Sequence, residues 1–237
     1  MLMDIQVAHA PAVRADRHAQ THTAPRKAPQ RTCSPESDAL EQIGARSMVR
    51  RGATLFHEGD PADGIYKVVT GAIRTSRLMP DGRRYVSDFL FPGDFIGLSD
   101  GRYRTSSAEA LCDTVVIRCA RSVFESIVEN DPRFGRYLLS VLRGGLAGAQ
   151  DRMLLLGRRT AIERVASFLL AMAARASSER IDLPMTRTDI ADYLGLTIET
   201  VSRSLTQLKT QRVIQIPAPS QVVILRRDAL EAMTDGV

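Results

Sequence analysis

The apolar residues of this chain change period once, near Arg121, and that change constrains the fold more than any other feature. Before it, short apolar–polar runs are separated by turn signals. After it, apolar residues recur every three or four positions. A chain divided in this way reads as α+β, with strands gathered in the N-terminal half and helices in the C-terminal half. Its 237 residues suit two domains better than three.

Residues 1 to about 34 lack any periodic apolar pattern and read as a disordered arm. His9, His18 and His22 lie in it with no enforced geometry, so the sequence offers no metal site. From about Met48 the strand signals begin: Val49, Ala53 to Phe56, Ile65 to Val69, Ala72 to Leu78, Tyr85 to Phe91 and Thr114 to Arg118. Pro80-Asp81-Gly82 and Pro92-Gly93-Asp94 break the runs where turns need fixed or positive φ. Residues 35–130 therefore predict a small β-barrel or sandwich, closed by a short helix over Ser122 to Val128.

A long helix is predicted over residues 131–157, with Asp131 as cap and Pro132 at the first helical position. Leu138, Leu142, Leu146, Ala149, Met153 and Leu156 form its apolar stripe. The stripe is too long for a small barrel to cover, which predicts a homodimer coil; a helix packed within one subunit is the alternative. Gly144, Gly145 and Gly148 weaken the helix and would let two backbones approach. Residues 158–237 follow as a separate module, with a helix over Thr160 to Ala176 and a hairpin of Val213 to Ile216 and Val222 to Leu225.

Residues 185 to 208 read MTRTDIADYLGLTIETVSRSLTQL. Thr186 and Asp189 have capping-box spacing. Gly195 follows Leu194, where a tight turn needs φ > 0. A second helix then carries Val201, Leu205 and Leu208 inward. Two short helices joined in this way make a helix-turn-helix, whose second helix enters the DNA major groove. Its outward residues Glu199, Ser202 and Arg203 suit base edges: Arg to guanine O6 and N7, Glu to the cytosine amino group, Ser to either. For Glu199 and Arg203 alone a surface ion pair is the simpler reading. Thr188, Thr197, Thr200, Lys209 and Arg212 are candidates for phosphate contacts; for the last two, a helix-dipole role is equally good.

The chain here resembles the Crp/Fnr superfamily of bacterial regulators over about residues 45 to 230. GDPADGIYKVVTG at 59 to 71, FPGDFIGL at 91 to 98 and ETVSR at 199 to 203 carry the resemblance. It implies a jelly-roll-like β-roll, a long dimerisation helix and a C-terminal winged helix-turn-helix. Glu199, Ser202 and Arg203 match the Fnr-type reading pattern, which implies a TTGA-N6-TCAA-like palindrome and an activator contacting RNA polymerase. A cyclic-nucleotide roll of this family needs a Glu and an Arg where Leu98 and Thr105 stand, so no cyclic nucleotide is expected. Fnr's iron–sulfur cluster needs four cysteines; only Cys33, Cys112 and Cys119 are present. What remains resembles the FixK branch, which has no built-in cofactor and commonly serves oxygen-responsive or nitrogen-metabolism pathways. A sensor of an unidentified small effector in the roll is the alternative.

The remaining features narrow the class further. The odd cysteine count, unsuited to zinc spacing, favours a reduced cytoplasmic protein, with a redox role for Cys33, Cys112 or Cys119 as a further expectation. No stretch approaches 18 consecutive apolar residues, so no membrane span is expected. No phosphate-binding Gly loop or nucleophile elbow points to an enzyme. Net charge is +5, but residues 186 to 237 are balanced, so attraction to double-stranded DNA there must come from placement.

Overall fold

The structure, a computed structural model, describes residues 40, 43–99, 101–158 and 160–234, without the side chains of 154–156 and 158. The N-terminal arm, Cys33 and the Leu156 side chain lie outside that description.

Eight strands form two four-stranded antiparallel sheets. One has the order β1 (Ala45–Val49), β8 (Thr114–Ala120), β3 (Gly64–Thr70), β6 (Phe95–Ile96). The other runs β2 (Thr54–Phe56), β7 (Ser107–Ala110), β4 (Ile73–Leu78), β5 (Arg84–Leu90). Strands β3 and β8 are rich in β-branched residues and pair from Gly64↔Ala120 to Thr70↔Val115, with a register shift between Val68 and Thr70. Phe56, Val68, Ile73, Ala108 and Val116 fill the space between the sheets. Gly71 links β3 to β4 at φ 86°; a Cβ there would lie 2.4 Å from Thr114 Oγ1. No other residue fits that turn.

Helix α1 (Arg121–Asn130) is longer than predicted at both ends. Helix α2 (Pro132–Arg158) begins as expected, with Asp131 Oδ1 accepting from the amides of Arg133 (2.8 Å) and Phe134 (3.2 Å). Its first turns lie on the roll: Phe134, Leu138 and Val141 pack with Ile65, Phe95 and Phe124.

Past Val141 most of α2 is exposed, and its apolar stripe differs from the predicted one. Leu138 is buried within the chain, whereas Leu139, Leu142, Leu146 and Met153 are exposed. At about 100° per residue these four share one face, with Ala149 at its edge. Gly144 and Gly148 fall roughly opposite it, so they do not offer that face a close backbone approach. Sequence spacing alone had no way to show that the roll claims Leu138.

Helix α3 (Ala161–Ala176) leads into the C-terminal module, where the Glu163 carboxylate accepts from the Thr160 amide at 2.8 Å. The module continues with β9 (Arg180–Asp182), α4 (Arg187–Leu194), α5 (Ile198–Thr210), β10 (Ile214–Ala218), β11 (Gln221–Ile224) and α6 (Arg227–Thr234). The predicted hairpin is present, but β9 adds a third strand to it in the order β10-β11-β9. The module does not stand apart from the roll. Ala72, Val86, Phe89 and Leu111 of the roll join Phe168, Leu169, Ile190 and Leu194 in one apolar cluster.

Candidate nucleic-acid interface

Helix α4 starts at a reciprocal cap. Thr186 Oγ1 accepts from the Asp189 amide (3.1 Å), while Asp189 Oδ2 accepts from the Thr186 amide (2.9 Å) and hydroxyl (2.8 Å). The helix ends at Gly195, φ 62° and ψ 41°, a left-handed geometry that glycine adopts without penalty. Arg164 of α3 donates to the Leu194 carbonyl at 3.0 Å, satisfying one of the helix's terminal acceptors. Thr197 then caps α5, accepting from the Thr200 amide at 3.3 Å.

Val201, Leu205 and Leu208 are buried in the module core. The opposite side of α5 faces outward with Glu199 and Arg203 exposed and Ser202 half-buried. The Arg203 guanidinium lies 3.4 Å from Thr200 Oγ1. Ser202 Oγ accepts from Arg187 Nη1 at 3.3 Å, tying the start of α4 to the middle of α5. Glu199 is held below the ordinary carboxylate range by its own backbone amide, then by Thr197 and the Arg203 charge. An ionised carboxylate and a guanidinium therefore stand side by side on the exposed first turns of α5.

The outward face extends further than the sequence reading took it. A shallow groove of about 530 Å³ runs along α5, lined by Ser202, Arg203, Thr206, Gln207, Thr210 and Gln211. The last four follow Arg203 at three, four, seven and eight residues, a helical spacing that is the signal that identifies them. Thr188 is exposed in the first turn of α4, and Thr197 and Thr200 sit at the head of α5, engaged with each other at 3.0 Å. Lys209 and Arg212 are exposed at its far end, Arg212 with φ 53°. The five phosphate candidates thus bracket the reading face from both ends.

Leu98 packs into the roll–helix core and Thr105 is exposed, so neither position offers a carboxylate or guanidinium. Arg104 turns inward instead, stacking 4.2 Å from the Phe56 ring centroid and donating to the Gly64 carbonyl at 2.6 Å. Among the described residues no group of three His, Cys, Asp or Glu side chains is placed to hold a metal ion. Burial pushes the Cys119 thiol up, leaving it less thiolate and less reactive. Cys112 is half-buried beside Thr114.

A β-roll, a projecting helix and a winged helix-turn-helix with an exposed polar reading face define a DNA-binding transcription regulator. The comparisons agree. The Crp-like helix-turn-helix domain family matches residues 163–233, and the cyclic nucleotide-binding domain family matches residues 46–131. The nitrogen fixation regulation protein FixK of Azorhizobium caulinodans is 38% identical over 203 residues, covering 83% of this chain and 82% of that protein. FixK of Bradyrhizobium diazoefficiens is 41% identical over 182 residues, covering 75% of this chain and 77% of that protein. The solved structure of FixK2 from Bradyrhizobium japonicum superposes with a TM-score of 0.76 at 43% identity, covering 81% of this chain and 97% of that one. The chain belongs to the Crp/Fnr family of transcription regulators, and its similarity to the FixK proteins runs through both domains.

Proposed function

We propose that this chain is a homodimeric transcription activator that reads a TTGA-N6-TCAA-like palindrome in double-stranded DNA and contacts RNA polymerase. The observation that carries the reading is the face of α5: Glu199, Ser202 and Arg203 point outward while Val201, Leu205 and Leu208 anchor the helix from behind. Arg203 takes guanine, Glu199 the cytosine amino group, and Ser202 a neighbouring base edge. Thr188, Thr197, Thr200, Lys209 and Arg212 set the register on phosphates.

The exposed stripe on α2 brings two subunits together, so that two reading helices meet two half-sites about one DNA turn apart. The roll works without a cyclic nucleotide, since Leu98 and Thr105 lack the groups that would hold one, and the protein carries no iron–sulfur cluster. Similarity to FixK supports a role in cytoplasmic regulation of nitrogen metabolism or of oxygen response.

The test is binding of the purified full-length protein, without added ligand, to the palindrome and to a scrambled duplex at one fixed salt concentration. Preference for the palindrome by two orders of magnitude or more supports the reading. Equal, weak binding to both duplexes refutes effector-independent recognition of this site.

A further inference from the structure

The contact between the roll and the helix-turn-helix has an unusual centre. Asp189, already the capping partner of Thr186, has only 1% of its side chain accessible. Its second oxygen accepts from two arginines of the roll: Arg74 Nη1 of β4 and Arg84 Nη2 of β5, the latter at 2.7 Å. Arg84 Nε also donates to Asp192 Oδ2 at 2.8 Å. Arg74 is braced on its own sheet by Glu109, 2.7 Å away. Around this centre lie an apolar patch and two further charged ties. Phe89 of β5 stacks against Phe168 and Tyr193 with ring centroids 6.3 and 5.0 Å apart. Arg152 of α2 donates to the Ser87 carbonyl and lies 4.7 Å over the Tyr193 ring. Arg175 of α3 pairs with Asp94.

These interactions divide the work. Apolar contact is non-directional and tolerates sliding or rotation of one surface on the other. A buried carboxylate does not: any other registry leaves Asp189 desolvated without its partners, which is strongly unfavourable. A buried pair of this kind adds little net adhesion and much discrimination between registries. Helix α4 connects to α5 through the single Gly195 turn, so the orientation of α4 is that of the reading helix. In the docked arrangement Glu199 and Arg203 remain exposed. The registry that Asp189 selects is therefore one that presents the reading face.

We propose that Arg84, backed by Arg74, is a positioning residue for DNA binding: by holding the capping carboxylate of α4, it makes the roll a brace that sets the angle of the reading helix in each subunit. The inference rests on the palindrome reading above. A dimer with both helices braced matches one half-site spacing; a dimer with loosened modules accepts several and binds the matched one less well. Arg84 is the residue to change, because both of its ion pairs reach α4, whereas Arg74 also serves the roll.

The experiment compares full-length wild type, Arg84→Gln, Arg84→Lys and Asp192→Asn on palindromes with spacers of five, six and seven base pairs and on a single half-site, with thermal unfolding as a check on folding. The expected result is a sharp spacing preference in wild type. In Arg84→Gln, affinity at the preferred spacing falls about tenfold, within the usual range of coupling between sites, while half-site affinity is unchanged. Arg84→Lys restores part of the preference. Asp192→Asn, which leaves the buried carboxylate paired, moves the same way by less and carries the test if Arg84→Gln does not fold. An unchanged spacing preference in a folded Arg84→Gln overturns the brace. Tighter palindrome binding by that variant also overturns it, because the seam then restrains DNA binding rather than supporting it. A wild type that binds palindrome and scrambled duplex alike refutes the DNA reading itself, and is distinguished from failure of the brace by appearing before any substitution is made.

Discussion

Replacing Leu146 by alanine tests whether the exposed face of α2 joins two subunits. Leu146 is 62% exposed in the single chain and lies on one face with Leu139, Leu142 and Met153. The substitution removes three carbons, each worth about 0.8 kcal/mol when fully buried. With about three-fifths of that burial still to be gained, the loss is about 1.5 kcal/mol per subunit. A two-fold interface presents the residue twice, giving about 3 kcal/mol. That corresponds to a dimer dissociation constant about 150-fold weaker, measurable by sedimentation equilibrium over a range of protein concentrations. Gly144→Ala is the internal control. It lies on the opposite face with no atom within 4 Å of an added Cβ. The substitution should stabilise the helix by about 1 kcal/mol and leave dimerisation alone. An unchanged dissociation constant for Leu146→Ala, or a dimer broken by Gly144→Ala, would show that the contact face has been placed wrongly.

Other expectations follow from the same geometry. Arg203→Ala should cost about 1–3 kcal/mol of specific binding and relax the preference for guanine at one position of each half-site, read by selection from random duplexes. Lys209→Ala should instead weaken binding evenly across sequences and lower the salt slope by about one. Leu208→Ala, behind the reading face and fully buried, should destabilise the C-terminal module by about 2–5 kcal/mol, seen in denaturant unfolding. Burial alone would raise the Asp189 carboxyl, but the Thr186 amide and hydroxyl and the Arg74 and Arg84 charges hold it below its ordinary range. The folded state therefore binds that proton more weakly than the unfolded chain. The resulting stability is present above the ordinary Asp value of about 3.9 and is lost as pH falls through the folded value. Melting temperatures from pH 6 to 3 should show this decline, and Asp189→Asn should flatten it.

Local chemistry was legible in the sequence wherever one turn of chain sets the structure. Thr186 and Asp189, three residues apart, announced the cap of α4; Gly195 announced the turn; Asp131-Pro132 announced the start of α2. The strands with β-branched runs were also plain. Strands not foreseen carry weak signals: β6 is the pair Phe95–Ile96, and β7 reads Ser-Ala-Glu-Ala. Both owe their conformation to neighbouring strands rather than to their own residues. Strand β9 was hidden in the same way, since Arg-Ile-Asp becomes a strand only by pairing with β11.

Asp189 marks the boundary of what spacing can reveal. Its role at the helix start depends on Thr186, three positions away. Its burial depends on Arg74 and Arg84, 115 and 105 positions away. No periodicity links those residues, and the charge balance of the C-terminal segment gives no hint that one of its acids is answered from the roll. The same holds for Leu138, which shares the stripe of Leu142 and Leu146 by spacing but is taken up by Phe134 and the roll. Sequence pattern identifies which faces are apolar and which ends are capped. It does not identify what covers them, because that is settled by contacts between elements far apart in the chain. In this protein those contacts include one carboxylate that joins the two domains and also starts the first helix of the DNA-binding motif. On the proposed brace, a substitution in the roll at Arg84 reaches the reading helix without touching any residue of the proposed reading face.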